Sequence, residues 1–198
     1  MKKAMSVLVI LGIVAVLILM WAGGIYNKLV GGEEAVKTAW AQVENVYQRR
    51  LDLIPNLVAT VKGYAAHEKG TLEAVIEARS KISQVTLGAD VVNDPETLNR
   101  FQSLQGELSS ALSRLMVVVE QYPNLKADQN FLSLQSQLEG TENRIAVERR
   151  RYNETAQAYN TMRRTVPNVL VARIMGFEEK AYFQGDANAK TVPVVTFG

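Results

Sequence analysis

Residues 36–64 read VKTAWAQVENVYQRRLDLIPNLVATVKGY, and their spacing decides the fold. Steps of seven from Val36 reach Val43, Arg50, Leu57 and Tyr64; a companion series four residues ahead gives Trp40, Tyr47, Ile54 and Val61. Together they form one apolar stripe at helical spacing, with Arg50 its only charged member. Strand alternation fits none of it. The pattern begins at Glu33 and carries to about Leu87, a segment roughly 80 Å long as one straight helix. Pro55 lacks an N–H and its ring crowds the preceding turn, so a kink is expected near Leu51–Ile54. Gly63 and Gly70 weaken the helix further.

Towards the C-terminus, Gly88 to Asn93 reads as a turn, and Asp94-Pro95-Glu96 as a helix start with Asp94 as N-cap. The second helix carries Leu98, Phe101, Leu104, Leu108, Leu112, Leu115, Val119 and Tyr122 on one face and ends at Pro123. Asp128 caps a third, with heptads Phe131, Leu138, Ile145, Tyr152, Tyr159 and Leu134, Thr141, Glu148, Thr155, Met162, ending near Thr165. A short helix, Asn168 to Met175, should stop at Gly176. Residues 184–198 read as an extended tail.

Towards the N-terminus, Ala4 to Asn27 is an uncharged run of 24 residues. As a helix it reaches about 36 Å, enough to cross a hydrocarbon core of about 30 Å, with Trp21 and Tyr26 at interfacial depth. The run exceeds the apolar core of about 7–15 residues in a signal peptide, and Ala22-Gly23-Gly24 is a poor cleavage site, so an uncleaved anchor is expected. Lys2, Lys3 and the amino terminus face Lys28 and Lys37 across the span. That balance favours a cytoplasmic N-terminus and an extracytoplasmic body. Three long amphipathic helices joined by short turns alternate in direction. The expected fold is therefore all-α: a transmembrane helix (1–27), an antiparallel bundle of three long helices with a short fourth (28–183), and the tail (184–198).

Composition narrows the chemistry. The chain has 198 residues, 22 Lys+Arg, 20 Asp+Glu, one His and no Cys. Two of the basic residues, Lys2 and Lys3, precede position 28, which leaves 20 basic against 20 acidic in the body. The net charge of +2 is thus a property of one end and no sign of nucleic-acid binding. Disulfides, thiol nucleophiles and thiolate metal sites are excluded. His67-Glu68 invites a zinc-protease reading, but Thr71 stands where a second His is needed. No phosphate loop or nucleophile elbow is found. No cofactor and no enzymatic activity are expected.

Several strings are specific enough to carry a resemblance. Arg49-Arg50-Leu51-Asp52-Leu53-Ile54-Pro55-Asn56-Leu57-Val58 and Val61-Lys62-Gly63-Tyr64 follow Trp40; later come Tyr122-Pro123-Asn124-Leu125-Lys126-Ala127, Glu142-Asn143-Arg144-Ile145-Ala146 and Arg149-Arg150-Arg151-Tyr152-Asn153. With Gly176-Phe177 and Tyr182-Phe183, they closely resemble the signatures of the LemA family over nearly the whole chain. Val166 before Pro167 departs from the aromatic expected there. The resemblance implies a bacterial single-pass inner-membrane protein with a helical body and no defined activity. Relatives include a magnetosome-membrane biogenesis protein, and family genes often neighbour those of membrane metalloproteases.

Particular side chains remain to be weighed. Arg50 falls where the register wants a hydrophobe, and Glu142 and Glu148 lie on or beside the facing stripe of the third helix. An unpaired buried charge costs several kcal/mol, so either Arg50 pairs with Glu142 or Glu148, or it snorkels to the bundle edge. Asp52 and Asn56 flank Pro55, which leaves a carbonyl near position 51 unpaired; either these polar neighbours bind water or a partner helix there or the kink is satisfied internally. Asn153 and Asn160 stand one heptad apart, placed to hydrogen-bond within the bundle or across an oligomer seam. Arg149-Arg150-Arg151 point about 100° apart in turn and read as a solvated face rather than one patch. The expected function is a membrane-anchored scaffold that self-associates and organises membrane or membrane-protein complexes. The alternative is an adaptor of a membrane protease or envelope signalling system. The expected partners are the lipid bilayer, further copies of the chain and a membrane protein, not nucleic acid.

Overall fold

The computed structural model describes residues 2–84 and 89–185. Among these residues the regular elements are all helices: α1 Lys2–Tyr64, α2 Lys69–Ser83, a 3-10 helix Ala89–Asn93, α3 Pro95–Val119, α4 Pro123–Lys126, α5 Gln129–Arg164 and α6 Asn168–Met175. The segment expected as a turn before Asp94 is thus the 3-10 helix, and the tail beyond Gly185 lies outside the described residues.

Helix α1 is continuous across the expected boundary at residues 27 and 28. Its first part is long and apolar enough to cross a membrane, and its side chains from Leu8 to Trp21 face outward. From Val36 onward the same helix buries one stripe: Val36, Val43, Leu57, Trp40, Tyr47, Ile54 and Val61 are all within the core. Tyr64 departs from the pattern; at the end of α1 it is exposed, and its hydroxyl donates to Asp128 at 3.0 Å.

Pro55 does not end α1. The carbonyl of Leu51 that it leaves unmatched accepts a hydrogen bond from Arg79 Nε of α2 at 3.1 Å. Asp52 instead accepts from Gln48, and both Asp52 and Asn56 are exposed. The break in the first long segment falls at Ala65–Glu68, just after Gly63. There Tyr122 donates to Glu68 at 3.0 Å, and α2 turns back.

Cross-contacts set the directions. Arg79 lies beside Leu51, Lys81 beside Glu107, Arg50 beside Ser109, and Trp40 against Tyr152. Helices α1 and α3 therefore run one way, α2 and α5 the other. Both expected N-caps are in place: Asp94 accepts from the Glu96 and Thr97 amides, and Asp128 from Phe131 at 2.9 Å. Gly176 ends α6 with φ 74°, a left-handed conformation that glycine adopts without a side-chain penalty. Near the membrane end α1 and α5 close up at Gly32, where an added Cβ would sit 2.5 Å from Met162 Cε and 3.1 Å from Tyr159 Cδ2. A separate small core there joins Ile25 and Leu29 of α1 to Val171 and Ala172 of α6.

Candidate functional site

The interior of the body holds two buried cations among the described residues, Arg50 and Lys180. Arg50 stands midway along α1, where the apolar stripe carries it inward. Its Nη1 lies 3.2 Å from Glu142 Oε2 of α5, and its Nη2 donates to Ser109 Oγ of α3 at 2.8 Å. Three helices thus meet on one guanidinium. Glu148 takes no part; it pairs with Arg151 one turn on, at 3.1 Å.

Beside this junction a cavity of about 680 Å³ opens between α3 and α5, lined by Tyr47, Arg50, Gln105, Ser109, Glu142 and Arg149 among others. The carboxamide of Gln105 lines it, is buried and has no partner among the described residues for either polar atom. An unsatisfied buried amide costs about 1–3 kcal/mol. Burial pushes the Tyr47 phenol above its ordinary pKa, against the opposing pull of Arg149 and Arg50.

Residues 177–185 form an extended strap back along α5. Asn160 Nδ2 donates to the Lys180 carbonyl at 2.8 Å, and the Lys180 amide donates to Asn160 Oδ1 at 2.9 Å. One heptad earlier Asn153 makes the same reciprocal pair with Phe183, both bonds 2.9 Å. Gln102 of α3 repeats it with Gln184, at 2.8 and 3.2 Å. Three carboxamides thus serve the strap as a neighbouring strand would, satisfying donor and acceptor together. The Tyr152 hydroxyl donates to the Ala181 carbonyl, and the Ala181 amide to Val92, both at 2.7 Å. Both asparagines act within the chain.

Strap side chains enter the core. Phe183 stacks on Trp40 at 6.0 Å and meets Tyr152 edge-on at 5.5 Å, with Arg149 4.7 Å above its ring. Lys180 Nζ reaches Glu33 of α1 at 2.6 Å and Asn93 of the 3-10 helix at 2.7 Å. The neighbouring Tyr159 phenol is pushed up to about 12, first by burial and then by the Glu33 charge.

Periodicity could not find Lys180, Glu33, Asn93, Arg79 or Gln102, because each acts on a non-helical segment or on a backbone gap. The signal for Gln102 and Gln105 was two carboxamides beside an apolar stripe, without a partner legible in the sequence. His67 is exposed in the α1–α2 turn. Arg149 serves the strap, donating to the Gln184 carbonyl at 3.0 Å, while Arg150 and Arg151 are exposed. No group of three or more His, Cys, Asp or Glu side chains converges among the described residues.

The chain was compared with known proteins. The profile of the LemA family matches residues 39–197. Magnetosome protein MamQ 2 of Paramagnetospirillum magneticum is 28% identical over 207 residues, covering 96% of this chain and 74% of that protein. Magnetosome protein MamQ of Magnetospirillum gryphiswaldense is 26% identical over 98% of this chain and 75% of its own length. Protein LemA of Metamycoplasma hominis is 25% identical, covering 80% of this chain and 68% of that protein. The strap and its asparagine partners lie within the matched residues.

Proposed function

The chain belongs to the LemA family, and from that premise we propose that it is a membrane-anchored scaffold that self-associates and organises membrane or membrane-protein complexes. The body stands on the extracytoplasmic side of a bacterial inner membrane and acts by contact. The observation that carries this reading is the continuity of α1: one helix of 63 residues is first apolar on all sides and then the central member of the bundle. A body attached through an unbroken helix takes its orientation from the bilayer, as a scaffold unit must. Relatives named as magnetosome proteins, aligned over 96% of this chain, support a role in arranging membrane.

The test is the native mass of the full-length protein extracted in mild detergent, with cross-linking in intact membranes beforehand. A uniform assembly of several copies is expected. A monomer that co-purifies with a membrane protease overturns self-association and favours an adaptor of that protease.

A further inference from the structure

Helix α6 has two unlike faces. Val171 and Ala172 are buried against Ile25 and Leu29 of α1. The opposite side, one step of four apart, presents Leu170 and Ile174, which are 59% and 80% exposed, with Met175 beside them at 58%, and Val166, in the turn just before the helix, is 83% exposed. Apolar side chains so open are costly in water when they form one stripe. The small core under α6 also takes in Ala22 and Phe177, and the Phe177 ring meets Tyr26 edge-on at 5.6 Å.

These contacts fix the depth of α6. Counted from Ala4, about 20 helical residues cover a hydrocarbon core of about 30 Å, which brings α1 to the polar edge of the bilayer near Gly23. Ile25 and Leu29, on which α6 rests, therefore lie at headgroup level. An interfacial helix sinks its apolar side roughly 5–10 Å into the boundary between headgroups and acyl chains. The buried side of α6 reaches Ala22, one residue past the outward-facing apolar run Leu8–Trp21.

The charges match such a position. A cavity of about 410 Å³ beside α6 is lined by Arg163, Arg164, Val169, Ala172, Arg173 and Glu179. Arg163 is engaged, donating to the Phe177 carbonyl at 2.9 Å and lying 3.4 Å from Glu179. Arg164 and Arg173 are exposed and hold no protein partner among the described residues. The local carboxylates are Glu178 and Glu179, the second already paired.

We propose that α6 is a second membrane contact, lying in the interface beside the exit of α1, with Val166, Leu170 and Ile174 among acyl chains and Arg164 and Arg173 on the phosphates of anionic lipids. This rests on the reading of α1 as a membrane span. Two attachment points, unlike one, fix how the body is rotated about the axis of α1, so the bundle shows the same face to its neighbours in every copy.

The chain has no cysteine, so single substitutions can be labelled with a nitroxide without background. Full-length protein carrying Leu170→Cys or Ile174→Cys is reconstituted in phosphatidylcholine vesicles, with and without phosphatidylglycerol. Collision with oxygen and with a water-soluble nickel chelate reads the depth of each label. Leu17→Cys serves as the mid-span reference, and Val117→Cys, exposed on α3, as the aqueous one.

The labels at 170 and 174 are expected to show at least a several-fold higher ratio of oxygen to nickel accessibility than the label at 117. Anionic lipid is expected to raise that ratio further, and Arg164→Gln with Arg173→Gln to abolish the increase. A ratio at 174 equal to that at 117, with the label at 17 still deep, overturns the proposal while leaving the anchor intact. A water-exposed label at 17 fails the anchor itself and the proposal with it. Spin–spin broadening between labels at 174 assigns the face to a second copy and equally overturns the lipid contact. All the substituted side chains are exposed, and an unchanged helical circular-dichroism spectrum checks the fold.

Discussion

Arg50 and Lys180 are both buried cations facing a partly exposed glutamate, yet they sit in unlike surroundings. The Arg50 side chain is 6% exposed and its partner Glu142 57%, and the pair borders a polar cavity. The Lys180 side chain is 2% exposed, its partner Glu33 26%, and an aromatic ring covers it. Arg50 borders the polar cavity and touches residues of two further helices. Lys180 is drier, and it ties the strap to the membrane-proximal part of α1. A charge within reach of water tolerates loss of its partner; an enclosed one does not.

That contrast can be broken in graded steps. Glu33→Ala leaves the Lys180 ammonium with Asn93 alone, so a loss of about 3–5 kcal/mol is expected in denaturant unfolding of the detergent-solubilised protein. A loss as small as that at Glu142 would mean that the two sites are equally wet. Glu142→Gln should cost about 1–3 kcal/mol, since Arg50 keeps Ser109 and the cavity. Combined with Arg50→Leu in a double-mutant cycle, it should reveal a coupling of at least about 0.5 kcal/mol; additive losses would deny the pair any role in register.

Along the strap the same gradient should appear. Asn160 is buried and Asn153 half-buried, so Asn160→Ala should cost about 1–3 kcal/mol and Asn153→Ala about 0.5–1.5. Amide hydrogen exchange at Lys180 and Phe183 reads each release separately. At the far end Asp128→Ala removes a cap for about 0.5–2 kcal/mol, visible as a small fall in the thermal midpoint.

Titration sharpens the comparison from both sides. Tyrosines 47, 152 and 159 all have raised pKa values, so their neutral forms favour the folded state. For Tyr159 that stabilisation is complete below the ordinary value of 10.0 and is lost as pH climbs through about 12; for Tyr47 and Tyr152 it is likewise lost only above the ordinary value. Tyr47, drawn down by Arg149 and Arg50, should ionise ahead of Tyr159, which faces Glu33. Tyrosinate absorbance in Tyr47→Phe and Tyr159→Phe variants resolves the order. On the acid side, hydrogen bonds from Thr97 and from the Phe131 amide hold the Asp94 and Asp128 carboxyls below 3.8. Cap stabilisation is therefore full above that value and fades as pH falls through the depressed pKa.

Two kinds of order explain what could be read in advance. The stripe of α1, the aspartate caps, the bounds of α6 and the place of Arg50 all follow from helical period and local backbone chemistry, which a linear chain displays. Spacing alone does not choose between its two candidate glutamates, because residues 142 and 148 differ by less than two turns and only the axial stagger of α1 and α5 separates them. The strap has no period to display. Its carboxamide ladder becomes visible only when Asn153, Asn160 and Gln102 have been carried to one side of the bundle. The split at Ala65–Glu68 was masked because the apolar spacing continues through Leu72 and Val75, which are buried on another neighbour.

The continuity of α1 has a mechanical corollary. From Asn27 to Tyr64 the helix extends about 55 Å at 1.5 Å per residue, so a 10° tilt of its membrane part carries the outer tip sideways by about 10 Å. Spans lean further in thinner bilayers to hide surplus apolar length. The rod is thus a pointer whose distal reading follows local bilayer thickness.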